Sequence, residues 1–123
     1  MNFNLRTSKY AAECLKQLHS ATNITPNILI RFAVSLSLRN PDAVEVVPKE
    51  FSDGLTLHRS TVTGNYDFVY FALIAQHCQR EITDQEYFPG LFSAHLERGI
   101  RLLNSEYKSA GNSERFFKSL MTT

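Results

Sequence analysis

Between Pro26 and Leu38 the chain carries an apolar residue at almost every turn of a helix. Ile28, Leu29, Phe32, Ala33 and Leu36 form one face at helical spacing, and Ile30, Val34 and Leu38 carry it well round the cylinder. Asn27, Arg31 and Ser35 leave a narrow polar stripe. Such a helix has to be covered on most sides. In a chain of 123 residues that points to a subunit interface as well as an internal core. Its ends are marked locally. Thr25 stands at the cap position and Pro26 at the first helical position, where a missing N–H costs nothing. Asn40-Pro41-Asp42 stops it.

The segment before it reads as strand, helix, turn. Phe3 and Leu5 alternate with Asn2, Asn4 and Arg6, the period of a strand. Thr7 or Ser8 caps a helix whose Ala11, Cys14, Leu15 and Leu18 share one face, ending near His19 or Ser20. Asn23 sits where a left-handed residue is useful. A strand this short is not stable alone. Paired antiparallel with the same strand of a second chain it becomes a ribbon, with Phe3 and Leu5 over a subunit interface completed by Ile28, Ile30, Phe32 and Val34. Asn2, Asn4 and Arg6 then form an exposed face of a size and chemistry suited to the DNA major groove, where Asn pairs with adenine and Arg with guanine.

Downstream, the spacing predicts an irregular connection over 41–65, with one small hairpin around Asp53-Gly54, and a helical part over 66–121. Phe68 to Ala75 is an unbroken apolar run that continues through Gln76-His77-Cys78-Gln79, which favours helix over strand. Thr83-Asp84-Gln85-Glu86 is a capping box, and Pro89-Gly90 kinks or restarts the helix beyond it. Phe92, Leu96, Ile100 and Leu103 make the next stripe, and Ser113 caps a last helix carrying Phe116, Phe117, Leu120 and Met121. The expected fold is mainly α, a single domain over 1–123 with a ribbon-helix-helix-like module at 1–40.

Several functional classes find no support. The apolar fraction of 43% is enough for a core, and no apolar run nears the roughly 20 residues that span a bilayer. No signal-peptide pattern opens the chain, and Cys14 and Cys78 are too few for a disulfide framework, so a reducing cytoplasm is expected. There is no Gly-rich phosphate loop, HExxH or nucleophile elbow. No catalytic residue, metal or cofactor is expected. The net charge of +1 hides an asymmetry. Residues 1–40 carry Arg6, Lys9, Lys16, Arg31 and Arg39 against Glu13; residues 41–100 are strongly acidic; Arg101, Lys108, Arg115 and Lys118 outnumber Glu106 and Glu114 at the end. A polyanion would prefer the two ends, unless they pair with the acidic middle.

Two resemblances sharpen this. Phe3-Asn4-Leu5-Arg6 and the turn Asn23-Ile24-Thr25-Pro26-Asn27 resemble the ribbon-helix-helix family over residues 2–39. Nearly the whole chain resembles the DNA sulfur modification protein DndE family. The residues that carry it run from Ser8-Lys9 through Leu15 and Leu18 to Asn23-Ile24-Thr25-Pro26-Asn27-Ile28-Leu29, and on to Ser35-Leu36-Ser37-Leu38. Gly64-Asn65-Tyr66-Asp67-Phe68-Val69-Tyr70 and Ala72-Leu73-Ile74 follow at matching spacing. Members of that family commonly have Gly where Asn23 stands. The second resemblance implies an accessory subunit of the phosphorothioation system, in which a non-bridging phosphate oxygen of DNA is replaced by sulfur. Partner proteins of that system supply a cysteine desulfurase, an iron–sulfur sulfur transferase and an ATPase. The expected function is oligomeric, non-catalytic binding of duplex DNA, as a dimer or dimer of dimers. A nick is favoured because the duplex bends cheaply there. Candidate DNA contacts are Asn2, Asn4, Arg6, Lys9, Lys16, Arg31, Lys108, Arg115 and Lys118. The rival readings are a ribbon-helix-helix repressor, an assembly subunit that touches no DNA and, last, a small hydrolase or nickase.

Overall fold

Strand β1 (Asn4–Arg6) pairs antiparallel with β2 (Thr56–His58) of the same chain, with Asn4 opposite His58, Leu5 opposite Leu57 and Arg6 opposite Thr56. The computed structural model describes residues 4–46 and 54–122, so Asn2 and Phe3 lie outside the described residues. Within the chain, then, the 41–65 segment supplies a strand to β1, and the turn expected at Asp53-Gly54 falls partly outside the described residues. The reason lies in Thr7 and Gly54. Thr7 N–H donates to Leu55 O and Leu55 N–H to Thr7 Oγ1, both at 2.9 Å. A Cβ on Gly54 would fall 1.9 Å from Thr7 O. The glycine that reads as a turn signal is needed for this close approach. Leu5 is then buried at 1% exposure.

Helix α1 (Lys9–Thr22) begins at Ser8, whose Oγ accepts from Ala11 N–H at 3.0 Å. It buries Ala11, Cys14, Leu15 and Leu18 and ends at Asn23, left-handed at φ 60. Asn is among the few non-glycine residues that take this conformation readily. Helix α2 (Pro26–Arg39) follows with Pro26 in its first turn and buries Leu29, Ile30, Ala33, Val34 and Ser37. A short helix α3 (Arg59–Thr63), not anticipated from the spacing, is capped by His58, and α4 spans Asp67–Cys78. The Thr83–Glu86 capping box forms in both directions at 3.1 Å. It opens a widened turn over Glu86–Leu91, where Phe88 leaves helical geometry at φ -132 and ψ 125 before Pro89. Helix α5 (Phe92–Ala110) ends at Gly111, left-handed at φ 81, and α6 (Ser113–Thr122) closes the chain as described.

Helix α5 is the centre of the packing. A Cβ on Gly99 would lie 1.8 Å from Ala33 O, so α2 and α5 cross with backbone against side-chain-free backbone. Of the largest fully buried side chains, Leu29, Ile30, Ile74, Phe92, Leu96, Ile100 and Phe116 come from α2, α4, α5 and α6, joined by Leu5 of β1, Leu15 and Leu18 of α1 and Tyr87 and Phe88 of the widened turn. The enclosure that α2 requires is therefore supplied largely within the chain.

Two arginines bind the layers together. Arg98 on α5 closes the end of α2. Its Nε donates to Ser37 Oγ at 2.8 Å, Nη2 to Ser37 O at 2.7 Å and Asn40 O at 3.2 Å, and Nη1 to Asp42 O at 2.6 Å. The Arg98 bonds add to Asn40 N–H on Ser37 O at 3.1 Å and to the His77 Nε2 contact with Asn40 O at 2.8 Å, so the end of α2 is closed from several sides. Beneath it His95, fully buried, holds Ser37 Oγ through Nδ1 at 2.8 Å and meets the His77 ring edge-on at 4.7 Å, while its Nε2 has no partner among the described residues. Burial, with His77 and Arg98 alongside, pushes its pKa down to about 4. Arg59 performs the second closure, between α3, α4 and the widened turn.

Candidate nucleic-acid interface

The cations predicted to meet phosphate are distributed by the packing of α1 against α5. Ser8 N–H and Oγ donate to Glu97 at 3.2 and 2.5 Å, the Arg101 guanidinium lies 5.6 Å from the centre of the Tyr10 ring, and Ser113 Oγ donates to Ala21 O at 2.9 Å. The two helices thus run side by side in the same direction. Lys9 and Lys16 are seven residues apart on α1, and Arg101 and Lys108 seven apart on α5. That spacing returns each pair to one helix face, about 10 Å apart along the axis. All four side chains are exposed. Glu13, also exposed, is the acidic residue between the two lysines.

Arg6 sits at the β1 end of this surface, exposed, with Nε donating to Thr56 Oγ1 at 3.1 Å. Asn4, on the same face of the ribbon, is also exposed. Arg115 lies two residues past Ser113, at the other end of α1.

The remaining predicted contacts stand elsewhere. Arg31 is turned toward α3, donating from Nε to Val62 O at 2.8 Å and from Nη2 to Thr61 O at 3.3 Å. Gly64, at φ 56, passes beneath it, and a Cβ there would fall 2.7 Å from Nη2. Lys118 lies 3.7 Å from Glu114 in an exposed i,i+4 pair on α6. Of the predicted interface residues, Leu5, Ile30 and Val34 are buried by the chain's own elements, Ile28 is half-buried and Phe32 is 38% exposed.

Arg101 belongs to the basic end read from the sequence but not to the candidate contacts named there. Its signal was available in the seven-residue interval to Lys108, but the neighbouring Lys9–Lys16 stripe comes beside it only through tertiary packing. Among the described residues no group of three or more His, Cys, Asp or Glu side chains is placed to hold a metal. Among the described residues no helix is long and apolar enough to cross a membrane.

The sequence model of the DNA sulphur modification protein DndE family matches residues 4–111. The chain belongs to the DndE family. Two solved structures share its fold. One is DndE from Escherichia coli B7A, described as involved in DNA phosphorothioation modification, with 24% identity and a TM-score of 0.66 over 84% of this chain and 97% of that one. The other is a glycine-to-lysine double mutant of DndE, described as involved in DNA phosphorothioation, with 24% identity and a TM-score of 0.64 over 85% and 99%. The chain has no significant match among curated proteins. The DndE match ends at residue 111, so it contains β1 through α5 and stops before α6.

Proposed function

We propose that this chain is a non-catalytic, oligomeric DNA-binding subunit of the DNA phosphorothioation machinery, acting in the cytoplasm beside other proteins of that system. It binds duplex DNA through backbone contacts and favours a nick. The observation that carries this reading is the paired stripe of Lys9 and Lys16 with Arg101 and Lys108, four exposed cations on two parallel helices. Such a surface offers charge without base-reading geometry, which fits phosphate contacts that position a subunit along any sequence. Rigid helices gain more contacts where the duplex bends without elastic cost, and a nick provides that hinge.

Self-association, as a dimer or dimer of dimers, multiplies these few charges. The outer face of α4 supports it: Phe68 is 81% exposed, Val69 47% and Leu73 41%, with no charged residue among them. The repressor reading needs two copies of β1 side by side; within one chain β1 pairs with β2 along one edge.

The test is competition between nicked and intact duplexes of one sequence, repeated across salt concentrations and on unrelated sequences. Tighter binding to the nick, little sequence preference and a steep loss with salt are expected. Equal affinity for both duplexes together with strong discrimination among sequences favours the repressor, and no binding at low salt favours an assembly subunit.

A further inference from the structure

Helix α6 adds something that the family-wide part of the chain does not build alone. Phe116 is fully buried and meets the Tyr107 ring edge-on at 5.3 Å, which fixes α6 against α5. Its other side stands off from α2 and leaves a cleft of about 390 Å3, lined by Phe32, Leu36, Phe117, Leu120 and Met121, with Ser35 and Arg39. Met121 is 85% exposed at its lip. Arg39 is the one charged residue among the described lining residues. It lies in the last turn of α2 and, among the described residues, holds no hydrogen-bond or ion-pair partner.

These features define the occupant. The floor asks for bulky apolar side chains in a row, and the unpartnered guanidinium at one end asks for a carboxylate. A second copy of the chain is a poor match. In a two-fold contact centred here the same surface meets itself, so hollow would face hollow and one Arg39 the other. DNA offers the cleft no apolar segment to bury. We infer that the α2–α6 cleft docks an amphipathic helix of a different protein, with apolar anchors at successive turns and an acidic residue set against Arg39. This goes beyond the DNA-binding reading and does not depend on it.

The experiment uses the full chain and two synthetic helical peptides of about 15 residues, with leucines at i, i+4 and i+7 and, beside them, either glutamates or lysines. Fluorescence anisotropy should show the glutamate peptide binding at least about tenfold tighter than its lysine twin. Arg39→Glu should reverse that order, and Met121→Asp, at a largely exposed position, should abolish binding of both with the circular dichroism spectrum unchanged. Failure of the glutamate peptide to bind, equal binding of the two peptides, or an order unaffected by Arg39→Glu overturns the proposal. So does a fall in assembly state for Met121→Asp by sedimentation, because the cleft is then filled by a second copy.

Discussion

Arg59 meets Asp67 through two parallel hydrogen bonds, Nε to Oδ1 at 2.9 Å and Nη2 to Oδ2 at 2.7 Å. The same guanidinium donates to both oxygens of Asp84 at 2.8 and 2.9 Å and lies 5.0 and 5.4 Å from the ring centres of Tyr87 and Phe88. It is 13% exposed. Tyr87 OH adds a bond to Asp67 Oδ1 at 3.1 Å, and hydrogen bonding from Arg59 holds the Asp67 carboxyl below the usual carboxylate range. Removing the cation strands two carboxylates beside an aromatic wall. Arg59→Ala should cost about 3 kcal/mol, the low end for breaking a buried pair because both aspartates reach solvent. Arg59→Lys should recover less than half, since an ammonium cannot bond both carboxylates side-on. The urea midpoint, at unchanged slope, measures each.

The crossing of α2 and α5 gives a sharper prediction. Gly99→Ala places a methyl where Ala33 O stands, and backbone cannot swing aside as a side chain does. A loss of about 3 kcal/mol or a failure to fold is expected. Gly90→Ala is the control: its Cβ would meet Val46 Cγ1 alone, at 3.4 Å, and the change should stay within about 0.5 kcal/mol. Thermal unfolding of both variants decides whether close backbone approach, or glycine as such, is what matters.

His95 makes the fold sensitive to mild acid. Its folded pKa is about 4 against an ordinary 6.5, because burial and then the neighbouring His77 and Arg98 penalise a second positive charge there. Above pH 6.5 folded and unfolded chains both hold it neutral and it exerts no pH dependence. As pH falls toward 4 the unfolded chain takes up a proton that the folded chain refuses, so stability drops, by up to about 3 kcal/mol over that window. Urea midpoints measured from pH 7 to 4 should decline for the unmodified protein and flatten in His95→Gln. An equal decline in both would place the titration elsewhere.

What the sequence disclosed and what it hid separate by range. The Ser8 cap, left-handed Asn23, Pro26 at the start of α2 and the Thr83–Glu86 box are decided within four residues of themselves, and each is read directly from spacing. The family, too, was legible, because its residues keep their order along the chain. The partner of β1 was not, since Leu57 and Gly54 lie some fifty residues away in a segment with no periodicity. Arg59, Asp67 and Asp84 gave no local hint of meeting. The apolar wrap of α2 points to a subunit interface as well as an internal core, and Leu29, Ile30 and Val34 are buried within the chain; periodicity says that a face is covered and is silent on what covers it.

The candidate DNA surface yields the last prediction, because the structure divides its cations into groups with different expectations. Lys9, Lys16, Arg101 and Lys108 are exposed on the parallel helices α1 and α5, whereas Lys118 stands near Glu114 and Arg31 serves the α3 carbonyls. Each phosphate neutralised by a cation contributes about 0.9 to the slope of log affinity against log salt. Lys16→Gln with Lys108→Gln should therefore flatten the slope by about 1.8 per participating chain and weaken binding at low salt to nicked and intact duplex alike. Lys118→Gln should leave the slope within its error. Arg31→Gln should act differently, lowering the urea midpoint through the lost contacts to Val62 and Thr61 with the slope retained in the protein that remains folded. If Lys118→Gln flattens the slope as much as Lys16→Gln does, the binding surface lies on α6, and the α1–α5 face is not where phosphate is held.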